Sequence, residues 1–285
     1  MSPLISFIIS TRGKNSSILA NALSSIFNTV NSEQVEVIVV DQNQSLEIEK
    51  VCLLWQANGI KYIATSTVGL ARGRNIGVKE AKGDWLWFFD DDAILSKDWL
   101  VAIFSSLTAS RVESKIFYGT VYDLAGKKYL RRGSNSHRLH RWQFDGVCSI
   151  GIIFNRRALD KIGEYDEKFG VGSTYGAGEE SDMILRALNF NIPVIFNADL
   201  KTIHPRFERD LAKASNYGFG IGALYRKHFF VSLENFVVLF IKLLLENIVR
   251  LLFIGFFGLI GRSVLAKFHL NYLMGFWRGF ISYRV

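Results

Sequence analysis

The sequence predicts an α/β fold with a mostly parallel sheet flanked by helices, and three observations carry that prediction. Residues 4–10 (LISFIIS) and 35–41 (VEVIVVD) are short, β-branched apolar runs, each ending at a polar break. Residues 16–30 between them read as an amphipathic helix, so strand, helix and strand follow one another as in a βαβ unit. A third run, 84–89 (DWLWFF), is apolar enough to be a buried strand.

Between the second and third runs, 45–58 reads as a helix, Ile60–Ala64 as a strand and 70–82 as a further helix. Ligands of open α/β sheets sit at the carboxyl ends of the strands. Those ends carry Thr11 and Arg12, Asp41, and Asp90-Asp91-Asp92. Three polar clusters at three strand ends point to one cleft. Further on, the basic, turn-rich stretch 127–141 (KKYLRRGSNSHRLHR) reads as a loop, and 148–163 (CSIGIIFNRRALDKIG) as strand, turn and helix. A connection rich in glycine (Gly170, Gly172, Gly176, Gly178) leads to a helix with acids in its first turn and Arg186 later, the order a helix dipole favours. A strand at 193–197 and the pair His204-Pro205 close a globular domain expected to span 1–228.

Composition narrows the class. The chain has 285 residues, 34 Lys+Arg against 26 Asp+Glu and a formal charge of +8. At 49% hydrophobic and 21% charged it is no disordered polymer, and it is long enough for one large core or two small ones. Three prolines and 24 aperiodic glycines exclude a Pro-rich linker and a collagen-like repeat. Cys52 and Cys148 alone make neither a disulfide framework nor a cysteine zinc cluster, so a reducing compartment fits. The N-terminal apolar run has no basic segment before it and is expected to be a strand, not a signal peptide.

Residues 225–285 hold eight Lys/Arg, two acids and 14 of the 39 aromatic residues. A basic, aromatic tail behind a nearly balanced domain suggests a membrane surface and argues against a nucleic-acid partner. Its longest uncharged run, 251–261, falls short of the roughly 20 residues a spanning helix needs. Glu234, Lys242, Glu246 and Arg250 share one helical arc. The region 229–285 is therefore expected to form amphipathic helices that lie on a membrane, pack on their own domain, or join a second copy as a homo-oligomer.

Asp90, Asp91 and Asp92 would repel one another unless a positive charge sits among them. A hard divalent cation meets that need, while an N-cap cluster for the helix that follows is the simpler use. Asp41 suits either a ribose or base hydrogen bond or an ordinary Asx turn. Residues 69–77 (GLARGRNIG) are glycine-punctuated and basic, but they lack the G-x-G-x-x-G spacing, which disfavours a dinucleotide dehydrogenase. A carboxylate within Glu179-Glu180-Ser181-Asp182 can cap its helix or act as a general base. His204 is a structural histidine or a site residue.

Taken together these segments resemble the family 2 glycosyltransferases, whose fold is the Rossmann-like arrangement called GT-A. The resemblance covers about 4–228, and its parts occur in the family's order: SFIISTRGKN, EVIVVDQNQ, VGLARGRNIG, GDWLWFFDDD, IIFNRRALDKIGEYDEKFG, GAGEESDMILRAL and IHP. It implies an inverting transfer of a sugar from a nucleotide-diphosphate donor, UDP being the common carrier, to a hydroxyl of a glycan or lipid-linked acceptor in surface-polysaccharide synthesis. Thr11, Arg12, Asp41 and Arg74 would line the nucleotide site, together with Asp90 and Asp91. Asp90-Asp91-Asp92 would supply the family's Asp-x-Asp element, with Asp90 and Asp92 holding Mn²⁺ or Mg²⁺ on the diphosphate and His204 beside the metal. Glu180 aligns with the second acid of a Glu-Asp pair, the family's base. Glu-Glu stands here instead, which leaves Glu179 and Asp182 as substitutes and a catalytically dead nucleotide-sugar-binding scaffold as the alternative. With the tail, the resemblance places the protein in the cytoplasm, peripheral on the inner face of the cell membrane.

Overall fold

Strand and helix alternate from the N-terminus as the apolar runs require. A computed structural model describes residues 3–13, 15–28, 34–129, 136–205 and 211–284. In order come β1 (Ile5–Thr11), α1 (Ser16–Phe27), β2 (Val35–Asp41), α2 (Leu46–Leu54), β3 (Ile60–Ala64), α3 (Leu70–Glu80) and β4 (Trp85–Phe89). The stretch expected to be one helix over 45–58 is α2 followed by a single 3₁₀ turn at Gln56–Asn58. Next are α4 (Lys97–Ala109), β5 (Ile116–Tyr122), β6 (His137–Arg138), β7 (Ile152–Asn155), α5 (Arg156–Ile162), α6 (Glu179–Asn189) and β8 (Val194–Ile203). α7 (Leu211–His228) follows, and the tail from 229 onward forms α8 (Leu233–Leu259) and α9 (Ser263–Ser282). Part of the loop read at 127–141 lies outside the described residues.

The described residues fall into two compact units, one of 1–139, 145–165 and 186–206, the other of 140–144, 166–185 and 207–285. The first holds the sheet, which among the described residues has eight strands in the order β3-β2-β1-β4-β7-β5-β8-β6. β3, β2, β1 and β4 are parallel, as are β5 and β8, while β7 and β6 run against their neighbours. Strand order reverses between β1 and β4, so the crevice that such a reversal opens lies at Thr11 and Asp90.

Two of the glycines of 69–77, Gly73 and Gly77, serve packing. A Cβ at Gly77 would stand 2.3 Å from Ile8 Cγ2, and one at Gly73 would stand 2.0 Å from Ser10 Oγ. Their absence lets α3 press directly onto β1. Phe7 stacks on Trp87 at 5.1 Å, and the buried indoles are satisfied: Trp85 Nε1 donates to Leu107 O and Trp87 Nε1 to Ile150 O. β8 runs well past the expected 193–197. The turn-forming Asn197-Ala198-Asp199 makes an irregularity in the pairing with β5, after which the ladder resumes and carries the chain to His204.

In the second unit α7 and α9 meet backbone to backbone. Cβ atoms at Gly222 and Gly279 would each lie 1.9 Å from a carbonyl of the facing helix, Phe276 O and Phe219 O. Gly218 and Gly275 repeat the contact one turn away, so each helix presents a small-x-x-x-small stripe. None of the described helices is long and apolar enough to cross a membrane.

Candidate active site

The parallel register sets Thr11 beside Asp41 at the ends of β1 and β2. Asp41 is fully buried and forms an Asx turn: Oδ1 accepts from Asn43 N at 2.9 Å and Oδ2 from Ser45 N at 2.6 Å. Tyr62 OH also donates to Oδ2 at 3.0 Å, and burial together with this bond holds the phenol protonated far above its ordinary range. Arg12 follows with an exposed side chain, its carbonyl accepting from Asn43 Nδ2.

β4 delivers the three aspartates to the same edge. Thr11 Oγ1 donates to Asp91 Oδ2 at 2.5 Å, tying the ends of β1 and β4 together. Burial raises the Asp91 pKa, the charges of Asp92 and Asp90 push the same way, and the Thr11 bond opposes them. From α3, buried Arg74 donates to Asp90 Oδ1 at 3.2 Å, with its guanidinium over the Tyr165 ring at 5.4 Å. Arg74 and Asp90 thus form an ion pair.

β8 supplies the histidine. Ile94 and Ile203 exchange backbone hydrogen bonds of 2.8 and 2.9 Å, which bind the end of β8 to the aspartate loop. His204 Nε2 then lies 3.0 Å from Asp92 Oδ1 and 3.6 Å from Asp90 Oδ2. One donor atom from each of Asp90, Asp92 and His204 falls within 4.8 Å of the others. The other ring nitrogen, Nδ1, is 3.1 Å from Tyr129 OH, which is also 2.7 Å from Pro205 O and 3.0 Å from His204 O. A phenol has one proton, and the carbonyls take it, so the hydroxyl accepts from Nδ1–H and Nε2 is the atom turned to the acids. Burial works against charging His204, but the Asp92 hydrogen bond and the charges of Asp92 and Asp90 outweigh it and raise its pKa. Two carboxylates and an imidazole suit a divalent cation that keeps further positions for oxygen ligands.

The acids of α6 belong to the second unit, where the structure sorts them. Asp182 is fully buried, 2.6 Å from Lys227 Nζ and 2.8 Å from His228 Nε2, and Lys227 also reaches Asp166 at 2.8 Å. Glu179 is buried against Gly170, where an added Cβ would stand 3.1 Å from its Cδ. Glu180 is half-buried and the most accessible of the three. Of the residues singled out from sequence, Thr11, Arg74, Asp90, Asp91, Asp92 and His204 come together in the first unit. Tyr129, Tyr62 and Tyr165 were not anticipated. Tyr129 lies 75 positions from His204 in a stretch read only as a basic loop, and nothing local marks it.

Comparison with known families finds that the model for glycosyl transferase family 2 matches residues 6–163, more than half of the chain. The chain belongs to glycosyl transferase family 2. The matched segment holds β1, Asp41, α3 and the aspartate triplet, whereas Glu180, His204 and the tail lie beyond it. No curated protein matches this transferase. Among solved structures it is similar to residues 1–349 of S. aureus TarS, at 16% identity and TM-score 0.59 over 96% of this chain and 90% of that one. It is also similar to the mannosyltransferase PcManGT from Pyrobaculum calidifontis, in complex with GDP-Man and Mn²⁺, at 13% identity and TM-score 0.63 over 97% and 88%. A third, GalNAc-T7 with UDP, GalNAc and Mn²⁺, shares 15% identity and TM-score 0.58 over 78% of this chain and 48% of that one. The fold of the family 2 transferase is thus the GT-A arrangement.

Proposed function

We propose that this family 2 transferase is a metal-dependent, inverting enzyme that moves a sugar from a nucleotide-diphosphate donor to a hydroxyl of a glycan or lipid-linked acceptor. The observation that carries the reading is the convergence of Asp90, Asp92 and His204 at the crevice between β1 and β4. These residues would hold Mn²⁺ or Mg²⁺, and such an ion, when bound, neutralises the charge that develops on a departing diphosphate. The Mn²⁺ in the PcManGT and GalNAc-T7 complexes supports this assignment.

The chain's own residues do the rest. Arg74 holds Asp90, Tyr129 fixes the histidine tautomer, and Thr11 holds Asp91 at the nucleotide's diphosphate. Arg12 and the Asp41 turn line the nucleoside end. Glu180 takes the acceptor's hydroxyl proton as that oxygen bonds to the anomeric carbon. The bond from this carbon to the diphosphate oxygen breaks, and the diphosphate leaves with the electron pair. One displacement from the opposite face inverts the configuration, so an α-linked donor yields a β-linked product. UDP is the proposed carrier, and surface-polysaccharide synthesis the setting.

Incubation with a panel of nucleotide sugars and simple glycoside acceptors tests this, with proton NMR reading the new anomeric linkage. Release of one nucleoside diphosphate with an inverted product is expected. A product of retained configuration, or no transfer from any donor in the presence of Mn²⁺, contradicts the reading.

A further inference from the structure

Three of the four charges of helix α8, all but Glu234 at its start, are on the wrong side for a helix facing water. Lys242 Nζ donates to Trp142 O at 3.1 Å and lies over the Trp142 and Phe144 rings at 5.3 and 5.2 Å. Glu246 accepts from Tyr225 OH at 3.3 Å, and the Arg250 guanidinium lies 3.4 Å from the Tyr272 ring centre. All three are turned toward neighbouring elements of their own unit. The opposite face shows Val237, Ile241, Leu244, Ile248, Leu252 and Leu259, exposed by 42% to 89%. A helix on a water-facing surface has the reverse arrangement. Twenty-seven residues run about 40 Å, and an apolar stripe of that length is at the upper limit of what monomers in water leave uncovered.

The charge around this face has one sign. From 247 to 284 the sequence contains no Asp or Glu, and it carries Arg250, Arg262, Lys267, Arg278 and Arg284. Arg262, Lys267 and Arg278 are exposed, while Met274 and Ile281 extend the apolar surface along α9. We propose that α8 and α9 lie flat in the head-group region of an anionic lipid leaflet, with the outward face of α8 among the acyl chains and these three cations at the phosphates. Flat is the orientation the turn demands: Arg262 stands between the two helices, and insertion tip-first would drive it into hydrocarbon at high cost. Such helices sink only about 5–10 Å, and none needs to cross. A second copy is the poorer occupant, because a twofold contact through this face brings together two surfaces of the same charge sign, with no acid between 247 and 284 to pair their cations.

The inference stands apart from the catalytic reading, and its test uses no donor. The full chain is floated with vesicles of phosphatidylcholine, alone or mixed equally with phosphatidylglycerol, beside Leu244→Asp/Leu252→Asp and Arg262→Gln/Lys267→Gln variants whose folding is checked by circular dichroism. The wild type floats with the anionic vesicles. The apolar variant loses binding by a factor on the order of ten or more. The charge variant loses about fivefold per cation on anionic vesicles only, and it alone decides the matter if the aspartate variant misfolds. Wild-type protein that stays at the bottom of both gradients overturns the proposal. So does a dimer in sedimentation that the aspartates dissociate while vesicle binding is unchanged.

Discussion

At the carboxyl end of β4 two carboxylates, Asp90 and Asp92, stand together with a histidine, whereas along α8 Lys242, Glu246 and Arg250 face inward and a stripe of apolar side chains faces outward. Both arrangements invert what water favours, in opposite senses. Like charges gathered at a sheet edge ask for a cation, and apolar residues gathered on a helix ask for an apolar medium. The first unit spends several side chains on holding its cluster still: Thr11 on Asp91, Arg74 on Asp90, Tyr129 on His204. The second spends its buried polar groups on cancelling one another, as Asp182 does with Lys227 and His228. We propose that the first region holds a ligand and the second meets a surface.

If the two regions are independent, each can be broken alone. Asp92→Asn should have the largest effect, cutting transfer by about a thousandfold, since a metal contributes several kcal/mol of charge stabilisation. Flotation on anionic vesicles should be unchanged by it. Glu180→Gln should lower kcat by about a hundredfold with donor affinity intact, read by steady-state kinetics beside calorimetric donor binding. Equal losses in Asp182→Asn with an unchanged melting temperature would move the base to the buried acid.

Smaller effects sharpen the comparison. Tyr129→Phe removes the group that fixes His204, and metal affinity should fall about 10- to 100-fold by calorimetry or Mn²⁺ resonance. Gly279→Ala forces a methyl group against Phe219 O and should cost the second unit about 1–3 kcal/mol in urea unfolding. Its effect on metal binding should be nil.

Much of the sheet and of its polar edge was legible, because strand runs and the aspartate triplet are short-range signals. Thr11 meets Asp91, and Asp90, Asp92 and His204 come together. Asp41 was legible as either ligand or turn, and its bonds to Asn43 and Ser45 show the turn. Tyr129 was not legible, since a contact across 75 residues leaves no local pattern. The glycines of 69–77 stand out in the sequence without saying what they serve, and the structure shows Gly73 and Gly77 admitting close packing of α3 on β1. In the tail, the arc of Glu234, Lys242, Glu246 and Arg250 was visible, but periodicity gives a face without saying which way it points. The contacts with Trp142, Phe144, Tyr225 and Tyr272 reveal that the Lys242–Arg250 side is the inner one. The paired glycines of α7 and α9 were also present in the sequence, at four-residue spacing on helices not known to touch.

The central claim is that Asp90, Asp92 and His204 hold a cation on a nucleoside diphosphate. Its most direct test is calorimetric titration of the full chain with UDP, dTDP and GDP, each with Mn²⁺ or Mg²⁺ and again with EDTA. Tight binding of one nucleoside diphosphate with metal, lost with EDTA and in Asp92→Asn, is the predicted result. Binding of the same strength with and without metal, or no binding of any of the three by folded protein, would contradict it.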